Sequence, residues 1–334
     1  MTPEDADKIG QWQEQLEGDA RITLRSTGDE QTGELLTFCE ALSRMAPQVV
    51  MGQEEADPGD LPAIEIGDGA VTYHAIPAGT KLSPFLQAVS AFGGGARGSE
   101  KDHLLASRED VVHRLKGLDV PAYLRLFVAP NCPFCPVVTE QALTLAAANS
   151  LVHLAVIDGT FFPELAESEN VRSAPTLLLD GHFRWTGRLN LGEVLEALTQ
   201  RDPAELSADV LEGMLKAGNG SQLIEMMLER EVIFPSLVDL LAHEKIFVRV
   251  GAMMVMEEIA HRRRDIAAQV TDPLWDRLSE VNDPVKGDII HVLGEIGDEN
   301  LLPPMREIID GDYDLEVKEA AREAIMKITD RVHT

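Results

Sequence analysis

The chain has 334 residues, 44% of them hydrophobic, enough for two or three packed domains and too many for a disordered protein. Lys and Arg total 29 against 57 Asp and Glu, a formal net charge of -28, which argues against nucleic acid or an anionic membrane surface as the partner. With three cysteines, disulfides cannot be the structural staples of so large a chain.

The opening residues Met1 to Gln15 are acidic and lack an apolar core, and no stretch approaches the roughly 18 apolar residues that span a bilayer. The reading is therefore a soluble, cytoplasmic protein. Periodicity predicts a helix over Asp5 to Leu16, a strand over Arg21 to Arg25, a helix over Thr32 to Met45 and a short strand near Val49. A strand and turn follow at Leu61 to Gly69, then Ala70 to Ala75, and the helix Pro84 to Phe92 closes this first block, residues 1–92. Residues 93–119 read as a linker with a connecting helix from Arg108 to Leu118. Its run Gly93-Gly94-Gly95-Ala96-Arg97-Gly98 satisfies G-x-G-x-x-G, but it follows a helix rather than a strand, so it reads as flexible chain and not as a dinucleotide site.

Residues 120–202 repeat the order of the first block. A strand, Leu124 to Val128, runs into Cys132-Pro133-Phe134-Cys135, and a helix follows from Val137 to Asn149. Next come the strand Val152 to Ile157, a proline-led strand Ala174 to Leu179, the turn Asp180-Gly181, the strand Phe183 to Trp185 and the helix Leu191 to Thr199. Matching Pro62 with Pro175 and Asp68-Gly69 with Asp180-Gly181 places Asp29 to Thr32 where the second block has its dithiol. The first block thus has no redox pair, and Cys39, in mid-helix, reads as a buried structural thiol.

Two thiols at a strand-to-helix turn form a redox site, because unpaired N–H groups and the helix dipole favour thiolate over thiol. In this reading Cys132 attacks a substrate disulfide and Cys135 resolves the mixed disulfide. Pro133 and Phe134 stiffen the loop, and Pro136 suits a first helical turn. A zinc site would need four ligands at set spacing, which the third cysteine cannot supply. His261-Arg262-Arg263-Arg264 reads as a cationic helix C-terminus rather than a nucleic-acid site.

Residues 203–334 turn helical. Segments 237–241, 274–278 and 305–309 each precede a polar turn and a helix starting at Val248, Val285 or Val317. The period of roughly 32 to 37 residues predicts a HEAT-like α-solenoid. The fold class is therefore multidomain: two fused α/β units followed by all-α repeats.

His74 to Gly79, Cys132 to Pro136, Ala155 to Phe161, Val171 to Pro175 and Gly187-Arg188-Leu189 occur in the order found in the N-terminal domain of the alkyl hydroperoxide reductase flavoprotein subunit, which the first two hundred residues resemble. That resemblance implies two fused thioredoxin-like units, the first without a dithiol, and more broadly a thioredoxin- or glutaredoxin-like disulfide oxidoreductase. It also implies a cis-proline at Pro175 facing the dithiol, leaving the Ala174 backbone to pair with an extended substrate. Such a proline also deters metal capture. The family's flavin and nicotinamide domains have no counterpart, so no FAD or NAD site is expected and electrons must come from another protein. The resemblance suggests a peroxiredoxin as disulfide substrate and a thioredoxin-reductase-like flavoprotein as donor, with the repeats recruiting a protein partner. Lys81 stands where the family has an acidic residue near the dithiol; an ammonium there would favour the Cys132 thiolate, unless it is a solvated surface lysine. The rival reading is a redox-sensing scaffold whose working surface is the solenoid.

Overall fold

The structure, a computed structural model, describes residues 1–57, 59–94, 99–106, 108–181 and 183–332. It divides into two compact units, Met1–Gln200 and Arg201–Thr334. Gly95 to Gly98 of the glycine-rich run lie outside the described residues.

The first unit begins with α1 (Pro3–Gln13), whose N-terminus carries a reciprocal cap: Thr2 Oγ1 accepts from the Asp5 N–H and the Asp5 carboxylate accepts from the Thr2 N–H, each at 3.1 Å. Then follow β1 (Ala20–Ser26), α2 (Glu30–Met45), β2 (Val49–Glu55), β3 (Ala63–Ile66), β4 (Val71–His74) and, after a 3-10 turn at Gly79–Lys81, α3 (Leu82–Phe92). The connecting segment holds two short helices, α4 (Ser99–Leu105) and α5 (Glu109–Leu115). The polar composition of 99–105 hid α4 from a reading based on periodicity. The order then recurs as β5 (Ala122–Val128), α6 (Cys135–Ala148), β6 (Val152–Asp158), β7 (Thr176–Leu179), β8 (Phe183–Thr186) and α8 (Leu191–Gln200), with the six-residue α7 (Pro163–Ser168) inserted after β6.

The duplication is explicit in the pairing. β1 runs parallel to β2 and antiparallel to β3, which is antiparallel to β4; β5 repeats this with β6, β7 and β8. The halves join through parallel β4 and β6, in the register Val71↔Leu154 to His74↔Ile157, giving one eight-stranded sheet in the order β2-β1-β3-β4-β6-β5-β7-β8. Alternation along β1 sends Ala20, Ile22 and Leu24 into the core and leaves Arg21 exposed, the period-2 pattern of a sheet with one covered face. Ile22, Leu24, Ile64, Ile66, Leu124, Leu126, Leu154 and Val156 share one continuous core with the helices. Phe127, Ile157 and Leu178 pack on the opposite face with Phe162 and Ala166, beneath α7.

Arg201–Thr334 is helical throughout its described residues. After a 3-10 turn (Pro203–Glu205) come α9 (Ala208–Lys216), α10 (Gly220–Arg230), α11 (Pro235–Leu241), α12 (Ile246–Arg262), the single turn α13 (Arg264–Ala267), α14 (Thr271–Arg277), α15 (Asp283–Ile296), α16 (Leu302–Asp310) and α17 (Leu315–Val332). Each first helix packs on the next, α11 on α12, α14 on α15 and α16 on α17, and the longer helices α12, α15 and α17 stack in succession. Gly294 permits the last of these approaches, since a Cβ there would sit 2.9 Å from the Cα of Ala324. The basic run is consumed within this unit: Arg262 pairs with Glu225 and Glu258, Arg263 with Glu231 and Asp265, and Arg264 donates to the Gly297 carbonyl.

Arg249 ties the stack together. Its buried guanidinium donates to Asp288 of α15 at 2.8 Å and to the carbonyls of His243 and Glu244 at 2.7 and 2.8 Å. Arg249→Met leaves these acceptors in place without their donor and should destabilise the helical unit by about 3 kcal/mol. Urea unfolding followed by far-UV circular dichroism tests this against Arg306→Met, on the exposed side of α16, as control.

Candidate active site

β1, β4, β6 and β5 all point the same way, so the segments after their C-terminal ends gather at one edge of the sheet. Four chemically distinct pieces lie along it: the cap of α2 at the β1 end, then the 3-10 turn with Lys81, the end of β6 and the dithiol loop.

In the dithiol loop, Asn131 takes a left-handed φ of 58°, a conformation that asparagine tolerates, and turns the chain from β5 toward α6. Cys132 and Cys135 are joined in a disulfide. Cys135 is the first residue of α6 and Pro136 the second, where a missing N–H leaves no hydrogen bond unmade. Cys132 precedes the helix, and the Cys135 N–H donates to its Sγ at 3.1 Å, an arrangement that supports negative charge on that sulfur once reduced. Cys132 keeps 9% exposure and Cys135 only 1%, so the first cysteine is the more accessible of the pair. Pro133 is exposed, as is Phe134, at 49%.

Across from the loop, Ala174-Pro175 is a cis peptide, and Cys132 Sγ lies 3.7 Å from the Ala174 carbonyl oxygen. Pro175 is buried at the head of β7, and its own carbonyl accepts from the Gly187 N–H at 2.8 Å. The structure therefore brings Cys132, Cys135, Ala174 and Pro175 together with Pro133, Phe134 and Pro136.

Pro62, matched to Pro175 by sequence, is not cis; Ala174-Pro175 is the one cis peptide among the described residues. At the equivalent edge of the first half, the Asp29 carboxylate caps α2, accepting from the Thr32 N–H at 2.7 Å and from the Thr27 hydroxyl. Burial raises its pKa, but these bonds outweigh it and hold the carboxyl below its ordinary value. A fixed anion thus takes the place that a thiolate would hold. Cys39 is fully buried, and desolvation pushes its thiol up to about 12.

Lys81 is neither a solvated surface lysine nor a free ammonium. Its side chain is 11% exposed and pairs with Asp158, itself 3% exposed at the end of β6. Asp158 Oδ1 also accepts from the N–H and hydroxyl of Thr160 at 2.9 and 2.7 Å. Burial pushes the Asp158 carboxyl up, yet the Lys81 ammonium and the Thr160 donors more than offset this and hold it below the ordinary value. The turn carrying Lys81 packs against α6 and is fixed from the other side by the Asp5 carboxylate, which accepts from the Gly79 N–H at 3.1 Å. The ammonium expected to act on Cys132 alone is therefore already charge-paired. Asp158 escaped the sequence reading as a site residue; its signal was a lone acid ending the apolar strand Leu154-Ala155-Val156-Ile157.

The thioredoxin domain family matches residues 124–200, the part that carries the dithiol and the cis-proline. The F subunit of alkyl hydroperoxide reductase from Staphylococcus epidermidis is 24% identical over 218 residues, covering 64% of this chain and 41% of the relative. A protein named NADH dehydrogenase from Ferdinandcohnia aciditolerans is 21% identical over 213 residues, covering 63% and 39%. The chain thus spans about two fifths of the length of the curated relatives it matches. A protein disulfide oxidoreductase from Aeropyrum pernix has a similar fold, with a TM-score of 0.50, 15% identity and coverage of 59% of this chain and 92% of that one. The NTD_N/C domain of alkylhydroperoxide reductase AhpF from Enterococcus faecalis aligns with a TM-score of 0.49 and 21% identity, covering 59% and 100%. Among the described residues no cluster of His, Cys, Asp or Glu could hold a metal ion, and no helix is long and apolar enough to cross a membrane.

Lys81→Met strands the Asp158 carboxylate in the interior and should cost about 3 to 5 kcal/mol, with Lys81→Met/Asp158→Leu recovering part of the loss; urea unfolding measures both. A lowered carboxylate pKa stabilises the folded state fully above the ordinary aspartate value of 3.8, and this stability is lost as pH falls below it. Asp158→Asn should flatten that acid limb of the stability–pH curve. Cys132 and Cys135, facing the cis-proline segment, thus form a dithiol site within residues 124–200, the part of the chain that is similar to the thioredoxin domain family.

Proposed function

We propose that the protein is a thiol–disulfide oxidoreductase in which Cys132 is the nucleophile and Cys135 the resolving thiol. The observation that carries this reading is the difference in exposure of the two cysteines across from the cis-proline, within the segment that matches the thioredoxin domain family. The Cys132 thiolate attacks a substrate disulfide, forming a mixed disulfide and expelling the first substrate thiolate, which takes a proton from solvent. The Cys135 thiolate then attacks Cys132 Sγ, forming the intramolecular disulfide and releasing the second substrate thiolate. Two electrons pass from the protein dithiol to the substrate. Pro175 and Ala174 present backbone to the substrate chain, Pro133, Phe134 and Pro136 hold the loop, and Lys81 with Asp158 braces its edge.

A protein disulfide such as that of a peroxiredoxin is the substrate we infer, with a thioredoxin-reductase-like flavoprotein returning the electrons in the cytoplasm; the chain would need no FAD or NAD of its own. The likeness to an alkyl hydroperoxide reductase supports this assignment. The helix pairs of Arg201–Thr334 would form a HEAT-like solenoid that recruits a protein partner. Ile246, Phe247, Val250 and Met254 expose an apolar stripe at helical spacing on α12, and this favours a binding role for the unit. In the second reading, a redox-sensing scaffold, that stripe is the working surface and the dithiol only reports redox state.

Cys135→Ser should accumulate Cys132-linked mixed disulfides when the reduced protein meets a cell extract, while Cys132→Ser should form none and lose insulin reduction more than about 100-fold. A reduction potential near about -270 mV fits a reductant, and one near about -120 to -180 mV without turnover favours an oxidant or sensor. Absence of trapped species with Cys135→Ser would count against the enzyme.

A further inference from the structure

The rim of the dithiol loop carries exposed apolar side chains with an arginine laid across one of them. Phe134, between the two cysteines, and Val137, in the first turn of α6, are 49% and 57% exposed. The Arg188 guanidinium lies over the Phe134 ring, 5.6 Å from its centroid. Gly187, with a φ of 82°, and its hydrogen bond to the Pro175 carbonyl fix the chain just before Arg188 against the cis-proline segment. The hairpin thus carries Arg188 to the loop from the side where a substrate chain would lie.

In a chain with twice as many acids as bases, an arginine near any surface generally finds a carboxylate. Among the described residues, none lies within ion-pair distance of Arg188 or of Arg172, the exposed arginine ahead of the cis-proline. Glu193, the acid nearest Arg188 in sequence, is bonded instead to Asn190 Nδ2 at 2.9 Å. Stacking occupies the flat face of a guanidinium and leaves its N–H edge open, the edge that grips a carboxylate through paired hydrogen bonds. A net charge of -28 disfavours an acidic segment in general, and the Arg188 guanidinium offers it a local attraction at this rim.

We propose that Arg188 is a specificity determinant, selecting polypeptide disulfides in which an acidic residue flanks the cysteine that Cys132 attacks. The inference rests on the exchange reading of Cys132 and Cys135 given above. Phe134 and Val137 supply contact area that does not discriminate by charge, and the Arg188 edge adds the charge preference. As a rim pair it contributes a modest factor, and salt weakens it.

The test uses the reduced full-length protein and three synthetic peptides that differ only in having Glu, Gln or Lys beside each cysteine of one internal disulfide. Single-turnover rates are divided by the rates of dithiothreitol on the same peptides, which removes the effect of the flanking charge on the leaving thiol. The wild type should reduce the Glu peptide about three- to fivefold faster than the Gln peptide and the Lys peptide slowest, with the spread shrinking in about 0.5 M salt. Arg188→Glu should reverse the order, and Arg188→Gln should bring the Glu-to-Gln ratio close to one. Equal wild-type rates, or an order that survives Arg188→Glu, would overturn this inference and leave the oxidoreductase reading standing. Failure of the wild type to reduce any of the peptides would overturn both.

Discussion

The parallel pairing of β4 with β6 is the constraint on which the first two hundred residues depend. Each half alone is a four-stranded sheet, and this ladder fuses them into one sheet with a shared core. Because the contact is parallel, the C-terminal end of β4 arrives beside that of β6, and the turn that follows β4 is delivered to α6. An antiparallel joint would have sent the same turn to the far edge. The Lys81–Asp158 pair is the charged counterpart of this ladder, linking positions 77 residues apart. In this register neither of the two buried charges is left unpaired.

What the sequence revealed was local. Strand and helix order in both halves, the loss of the dithiol in the first and the placement of Cys132 at a helix start follow from hydrophobic period, turn residues and proline position. Three helix pairs after residue 201 were legible for the same reason, because the second helix of each carries Val248-Arg249, Val285-Lys286 or Val317-Lys318 near its start. What escaped depends on the meeting of distant segments. Nothing in Gly79-Thr80-Lys81 says that the lysine is covered, since coverage comes from docking the two halves. Arg188 is likewise ordinary in sequence, and its meaning comes from the ring beneath it. The insertion α7, six residues long, is too short to show a helical period, yet it supplies the second face of the core.

The two halves show how one architecture accommodates opposite chemistry at equivalent helix starts. Both offer unpaired N–H groups that favour an anion. In the second half the anion is a sulfur whose charge comes and goes with reduction, guarded by a backbone carbonyl and a buried proline. In the first it is Asp29, charged at all physiological pH and tied to Thr27 and Thr32. The same dipole thus serves reactivity in one copy and permanence in the other, which leaves the first half as a structural abutment.

The burial of Cys39 in the core of that abutment has a practical side. With its thiol pushed up to about 12 and no exposed surface, it is closed to alkylating reagents in the native protein. Every maleimide taken up without denaturant therefore belongs to Cys132 or Cys135. Since Cys132 is the more accessible of the pair, a mass tag on it marks the reduced wild-type chain, and a titration reads the oxidation state without removing any cysteine.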